Sequence, residues 1–228
     1  MTNNKKDIER QKKCKEYNLP SYTLLEEVLN AATHGLGAIF AIVVIVLLMI
    51  DVPKNFHNVF PLSVYGGTLF LLYIISTLYH ALKLGFAKKI FRTLDHCSIF
   101  LLIAGTYTPI CALIIGGKVG TILLSFIWLA AIVGIVLNSI SIERYAKFSM
   151  ICYIAMGWGV VFAMKWLIES VTLYQLWMLI FGGIAYTLGA VLYGMGKKFK
   201  YVHSVWHIFV IIGSVFHFMM IYNFIKCM

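Results

Sequence analysis

Seven apolar stretches dominate this sequence, approximately Ala31–Ile50, Phe60–Ala81, His96–Ile115, Val119–Ile140, Phe148–Lys165, Leu173–Met195 and Val202–Ile225. About 20 mainly apolar residues, wound as an α-helix, cross the roughly 30 Å of hydrocarbon in a bilayer. Within that layer only helices and closed barrels satisfy every backbone N–H and C=O group, and barrel strands are about half as long as these runs. The expected fold is therefore all-α, an integral membrane bundle of seven transmembrane helices. Composition agrees: apolar types make up 61% of the 228 residues and charged types 12%, about half the usual share of a soluble domain, ~25%. A mean hydropathy of +0.88 leaves too little polar surface to cover a water-soluble globule.

Ahead of the first span lie 22 polar, basic residues with Lys5, Lys6, Arg10, Lys12, Lys13 and Lys15. They are too many and too charged for the short basic start of a secretory signal. Residues 1–22 are expected to form a mobile polar tail on the cytoplasmic side, and residues 23–228 the seven-helix domain. Thr23 with Glu26 fits a capping box, which predicts a helix start at the membrane interface.

The excess of basic residues, a formal net charge of +10, reads as orientation. Fifteen lysines and arginines fall on one side of the predicted bundle: the six of the tail, then Lys83, Lys88, Lys89, Arg92, Arg144, Lys147, Lys197, Lys198 and Lys200. Four fall on the other: Lys54, Lys118, Lys165 and Lys226. Cytoplasmic loops carry the excess of Lys and Arg, so the chain is expected in the cell membrane with its amino terminus inside and its carboxy terminus outside. That placement argues against nucleic acid as a partner and leaves membrane lipids. The five cysteines, Cys14, Cys97, Cys111, Cys152 and Cys227, have no C-x-x-C spacing and imply neither a disulfide framework nor a thiolate metal site. Tyr65-Gly66-Gly67 and Phe181-Gly182-Gly183 sit at similar depths in two spans, and small residues at helix contacts explain them as well as an internal repeat does.

Ionisable residues inside a membrane are costly and mark functional sites by default. Here they gather in one layer. Ser76 and His80 lie four apart near the cytoplasmic end of the second span, Asp95 and His96 open the third, and His203 and His207, again four apart, open the seventh. Residues at i and i+4 share a helix face, so His203 and His207 can hold one metal ion together. With His80 they make a three-histidine set that leaves a fourth position open, which suits Zn2+. Such a pair in an apolar helix is also a common packing arrangement. Asp95 is a candidate general base and Ser76 a candidate hydrogen-bond donor to substrate or water; an N-cap role for Asp95 is the structural alternative. His96 points about 100° away from Asp95 and is expected to pack. His34, on one face with Glu27 and Asn30, belongs either to the polar shell or to a helix contact. His57 is expected in solvent and His217 in packing. The lysine that a retinal protein needs within the last span is missing, since Lys226 stands at its extreme end. Nor does a same-face histidine pair bracket a haem.

The stretches Glu26-Glu27-x-x-Asn30-x-x-Thr33-His34-Gly35-x-Gly37, Ser76-x-x-x-His80, Leu94-Asp95-His96, Ala104-Gly105-Thr106-Tyr107-Thr108-Pro109 and His203-x-x-Trp206-His207 together resemble the hemolysin III family. That family is the bacterial branch related to the progestin and adipoQ receptors, which include the adiponectin receptors. The resemblance covers the chain from the first span to the seventh. It implies seven helices with a cytoplasmic amino terminus, zinc held by His80, His203 and His207, and Asp95 and Ser76 beside the metal. The wider superfamily contains alkaline ceramidases, so the resemblance implies zinc-dependent hydrolysis of a lipid amide or ester. Two other functions stay open: a membrane-stress or lipid-homeostasis protein of receptor type whose zinc is structural, and a pore-forming cytolysin. A pore needs polar residues along a whole helix face, and no span here has one.

Overall fold

The computed structural model describes residues 2–195 and 200–228. Lys197 and Lys198, counted in the charge asymmetry, lie outside the described residues. Among those residues the chain is helical without strands: α1 (Thr2–Glu16), α2 (Leu24–Asp51), α3 (Phe56–Ala81), α4 (Phe86–Pro109), α5 (Gly117–Ile140), α6 (Ile142–Gly157), α7 (Met164–Ser170), α8 (Leu173–Met195) and α9 (Val202–Lys226). Two irregular turns complete the spans. A wide π-helical turn, Ile110–Ile115, extends α4 beyond Pro109, and a tight 3₁₀ turn, Gly159–Ala163, joins α6 to α7. Seven helical segments are long and apolar enough to cross a membrane: Leu24–Asp51, Phe56–Ala81, Phe86–Ile115, Gly117–Ile140, Ile142–Ser170, Leu173–Gly194 and Val202–Lys226.

Side-chain caps fix several helix starts. Thr23 accepts from Glu26 N while Glu26 accepts from Thr23 N, the reciprocal box the sequence predicts. Thr172 and Gln175 form a second reciprocal pair at the start of α8. Asn55 and Ser141 each accept one backbone N–H at the starts of α3 and α6.

Three expectations change. The segment expected as a mobile tail is helical over Thr2–Glu16 and touches the bundle: Arg10 lies 3.8 Å from Glu27 of α2, and Cys14 and Leu19 are buried. The third span starts at Phe86, ten residues before His96, and the fifth at Ile142, six before Phe148. In both cases the charged turn that precedes the apolar run is itself helical, because Lys and Arg are good helix formers whose heads reach the interface while the backbone stays wound. Asp95 therefore lies well inside α4, where Gly85 is the N-cap, and the N-cap alternative for Asp95 is removed.

Neighbours in sequence are neighbours in space, and α9 closes the bundle by packing on α2. The third span is the most enclosed, with 67% of its apolar window buried against 22% for α5 and α8. Close approach of α2 and α3 needs Gly37, since a β-carbon there would overlap the Tyr73 ring. Large apolar side chains such as Phe162, Phe56 and Leu24 stand outward, as on a surface that faces hydrocarbon rather than water.

Candidate metal centre

The starts of α2 and α9 and the ends of the helices between them meet at the end of the bundle that carries α1. His80, the last residue but one of α3, faces His203 and His207 on the first turns of α9. One nitrogen from each lies within 4.8 Å of the others, and the ring centroids are 4.7 to 5.3 Å apart. All three residues are buried.

Hydrogen bonds orient two of the three rings. His80 Nδ1 donates to Glu27 Oε2 at 2.8 Å. His207 Nδ1 faces two oxygens, Asn30 O at 3.3 Å and Thr33 Oγ1 at 3.2 Å. A proton on Nδ1 leaves Nε2 with a bare lone pair, and Nε2 of His80, His203 and His207 has no partner. Buried polar atoms are seldom left so. Three imidazoles that each offer a nitrogen to one shared space could hold a metal ion, and outer nitrogens held by a carboxylate and a carbonyl are the usual support of such ligands.

The other predicted residues take distinct places. Ser76, fully buried, stands one turn before His80. Asp95, also buried, approaches Ser76 and His80 from α4. His34 lies flat against His207 with ring centroids 3.5 Å apart, which puts it in the polar shell. His96 packs near Tyr193. His57 is exposed in the first turn of α3, and His217, in the opposite half, reaches Leu179 O at 3.3 Å. The cysteines are all free.

Other members of this cluster carry no separable sequence signal. Lys88, counted above only as a loop charge, is 1% exposed. Its Nζ donates to Tyr79 O, His80 O and Leu82 O at 2.7 to 3.3 Å and pairs with Glu27 Oε1 at 3.1 Å. Ser204 donates to Asn30 Oδ1 at 2.5 Å. Tyr22 stacks on His203, centroids 5.0 Å apart, and thus covers the histidines from the side of α1; burial pushes its phenol well above the usual range. Only the shared face of Glu27, Asn30 and His34 on α2 was visible in the spacing.

A cavity of about 1040 Å³, counted out to its opening, lies between α4, α6, α8 and α9 and is lined at one place by Asp95 and His34 of the polar shell. Its walls are mainly apolar, with Ile99, Leu102, Ile154, Trp158 and Val210 among them.

The haemolysin-III-related family matches residues 22–218, nearly the whole bundle. The chain belongs to this family. It is 42% identical over 195 residues to Hemolysin-3 of Bacillus cereus, covering 85% of this chain and 89% of that protein. It is 35% identical to the Hemolysin-3 homolog of Bacillus subtilis (strain 168), covering 85% and 91%. A more distant relative is the monocyte to macrophage differentiation factor of Homo sapiens, 27% identical over 210 residues, covering 89% and 86%. The matched range includes every histidine and carboxylate of the cluster together with Tyr22, and leaves out α1.

Proposed function

We propose that this haemolysin-III-type protein binds Zn2+ through His80, His203 and His207 near the cytoplasmic face of the cell membrane and hydrolyses an amide or ester bond of a membrane lipid. The observation that carries the proposal is the set of three unpartnered Nε2 atoms on His80, His203 and His207, whose rings offer nitrogens to one shared space, next to a mainly apolar cavity that Asp95 lines. Zinc, when bound, supplies Lewis acidity that polarises a carbonyl and makes water nucleophilic near neutral pH. Asp95 takes a proton from the attacking water as general base and returns it to the leaving amine or alkoxide as the acyl C–N or C–O bond breaks, while Ser76 Oγ–H donates to the substrate carbonyl. The cavity shelters an acyl chain and keeps bulk water from the reacting end. Orientation with the amino terminus inside rests on the excess of Lys and Arg at the α1 end.

The test is turnover of a broad panel of lipid amides and esters by detergent-purified protein with zinc bound. Hydrolysis of one class, abolished in Asp95→Ala with zinc retained, supports the proposal. A zinc-loaded wild type that turns over nothing in the panel overturns the enzymatic part.

One observation favours a second reading, a receptor-like protein with structural zinc. The ligands come from α3 and α9, which have few other contacts with each other, so an ion there ties the two helices. That reading predicts zinc-dependent stability without turnover.

A further inference from the structure

Two adjacent carboxylates open α2, and their surroundings separate their roles. Glu26 is occupied with helix ends: Oε2 accepts from Thr23, and Oε1 accepts from Tyr201 N at 3.0 Å, which fastens the start of α2 to the start of α9. Glu27 has no capping partner. It is 6% exposed, and its two oxygens face opposite ways. Oε2 accepts a hydrogen bond from His80 Nδ1 at 2.8 Å, while Oε1 pairs with Lys88 at 3.1 Å and lies 3.8 Å from Arg10.

We propose that Glu27 is a positioning residue of the metal centre, fixed by Lys88 so that its carboxylate holds the His80 imidazole with Nδ1 protonated and Nε2 aimed at the other two histidines. The inference rests on the metal reading above and adds a residue that touches neither metal nor substrate. The imidazole of His80 can rotate about its side-chain bonds. A carboxylate at 2.8 Å fixes both the rotation and the tautomer, and its negative charge makes the opposite nitrogen a better donor. Lys88 performs two tasks from one ammonium. It orients Glu27, and through the Tyr79, His80 and Leu82 carbonyls it holds the last turn of α3, on which His80 stands. Side chain and backbone of one ligand are thus braced by the same buried ion pair. Arg10 brings α1 into this arrangement, since it also donates to Tyr22 O.

The experiment is zinc affinity of full-length protein, measured by competition with a chromophoric chelator, alongside thermal unfolding of the metal-free form. The variants are Glu27→Gln and Glu27→Asp, with Glu143→Gln as control. Asp keeps the charge opposite Lys88 and withdraws the oxygen from His80 by one methylene, so it stays informative if the Gln variant does not fold. Glu143 pairs with Arg92 at 2.5 Å near the same end and touches none of the three histidines. Both Glu27 variants are expected to bind zinc at least tenfold more weakly, within the range of about 10–100-fold for lost support of a ligand, and Glu143→Gln within twofold of wild type. A role for Glu27 as counterion alone would lower the melting temperature of the metal-free form and leave zinc affinity unchanged. That outcome, or an equal loss in Glu143→Gln, overturns the proposal while the metal reading stands. A wild type that binds no zinc overturns both.

Discussion

Each end of the bundle carries a polar cluster that includes a lysine–carboxylate pair, and the two are built differently. Away from α1, Asp51 pairs with Lys226 at 2.8 Å and accepts from the Tyr222 hydroxyl at 2.6 Å, while Gln175 donates to Asn223 at 2.9 Å. The Lys226 side chain is 49% exposed. Each group there answers another, and water reaches what is left. At the α1 end Lys88 and Glu27 are buried, yet the Nε2 atoms of His80, His203 and His207 face no partner. A polar cluster that only fastens helices closes on itself. One whose acceptors converge on a shared space is suited to a ligand that satisfies them, because bare buried acceptors cost about 1–3 kcal/mol each.

The two lysine pairs give the largest contrast. Lys88→Met leaves the Glu27 carboxylate buried without its cation, and loss of about 3–5 kcal/mol of stability is expected. Lys226→Met removes a solvated pair of little worth, and its melting temperature is expected to match wild type. Thermal unfolding in detergent measures both; equal melting temperatures for the two variants would erase the distinction between the ends. Next in size is metal removal. A ligand present at a thousand times its dissociation constant stabilises by about 4 kcal/mol, so chelation is expected to lower the melting temperature of wild type clearly and that of His80→Ala not at all. Equal shifts in the two would contradict a site at this end.

Much of this contrast was legible in the sequence. The seven spans followed from run lengths, and Ser76, His80, His203 and His207 from four-residue spacing on apolar helices. What the sequence hid was burial produced by tertiary contact. Lys88 sits among Lys83, Lys89 and Arg92 and looks like any basic loop residue, since nothing local distinguishes a lysine whose head is swallowed by helix-end carbonyls. The start of α4 was hidden for a related reason: a charged turn at a membrane interface has no apolar periodicity, although it is as helical as the span it precedes. The role of Tyr22, packed on His203 from a segment with no apolar pattern, was equally invisible.

Smaller effects sharpen the comparison. If Tyr22 covers the histidines, Tyr22→Ala is expected to speed zinc extraction by a water-soluble chelator severalfold, with Tyr22→Phe unchanged because stacking needs only the ring. Extraction at the wild-type rate in the alanine variant would deny the cover. The cysteines compare the two ends from outside the membrane. Cys227 is exposed at the carboxy-terminal end, whereas Cys14 is buried on α1, where burial pushes its thiol upward and so reduces the reactive thiolate. A membrane-impermeant maleimide applied to intact cells is expected to label Cys227 and not Cys14. The reverse pattern would invert the orientation. Pure protein in planar bilayers is expected to remain silent, because among the described residues no membrane-spanning helix carries a continuous polar face.

The central claim is that the unpartnered nitrogens at the α1 end hold a metal ion. Metal analysis of detergent-purified protein addresses it directly, with His80→Ala and Lys226→Met measured beside the wild type. The expected result is zinc near one per chain in wild type and Lys226→Met and close to none in His80→Ala. Wild-type protein without metal, or metal that persists when His80 is removed, would contradict it.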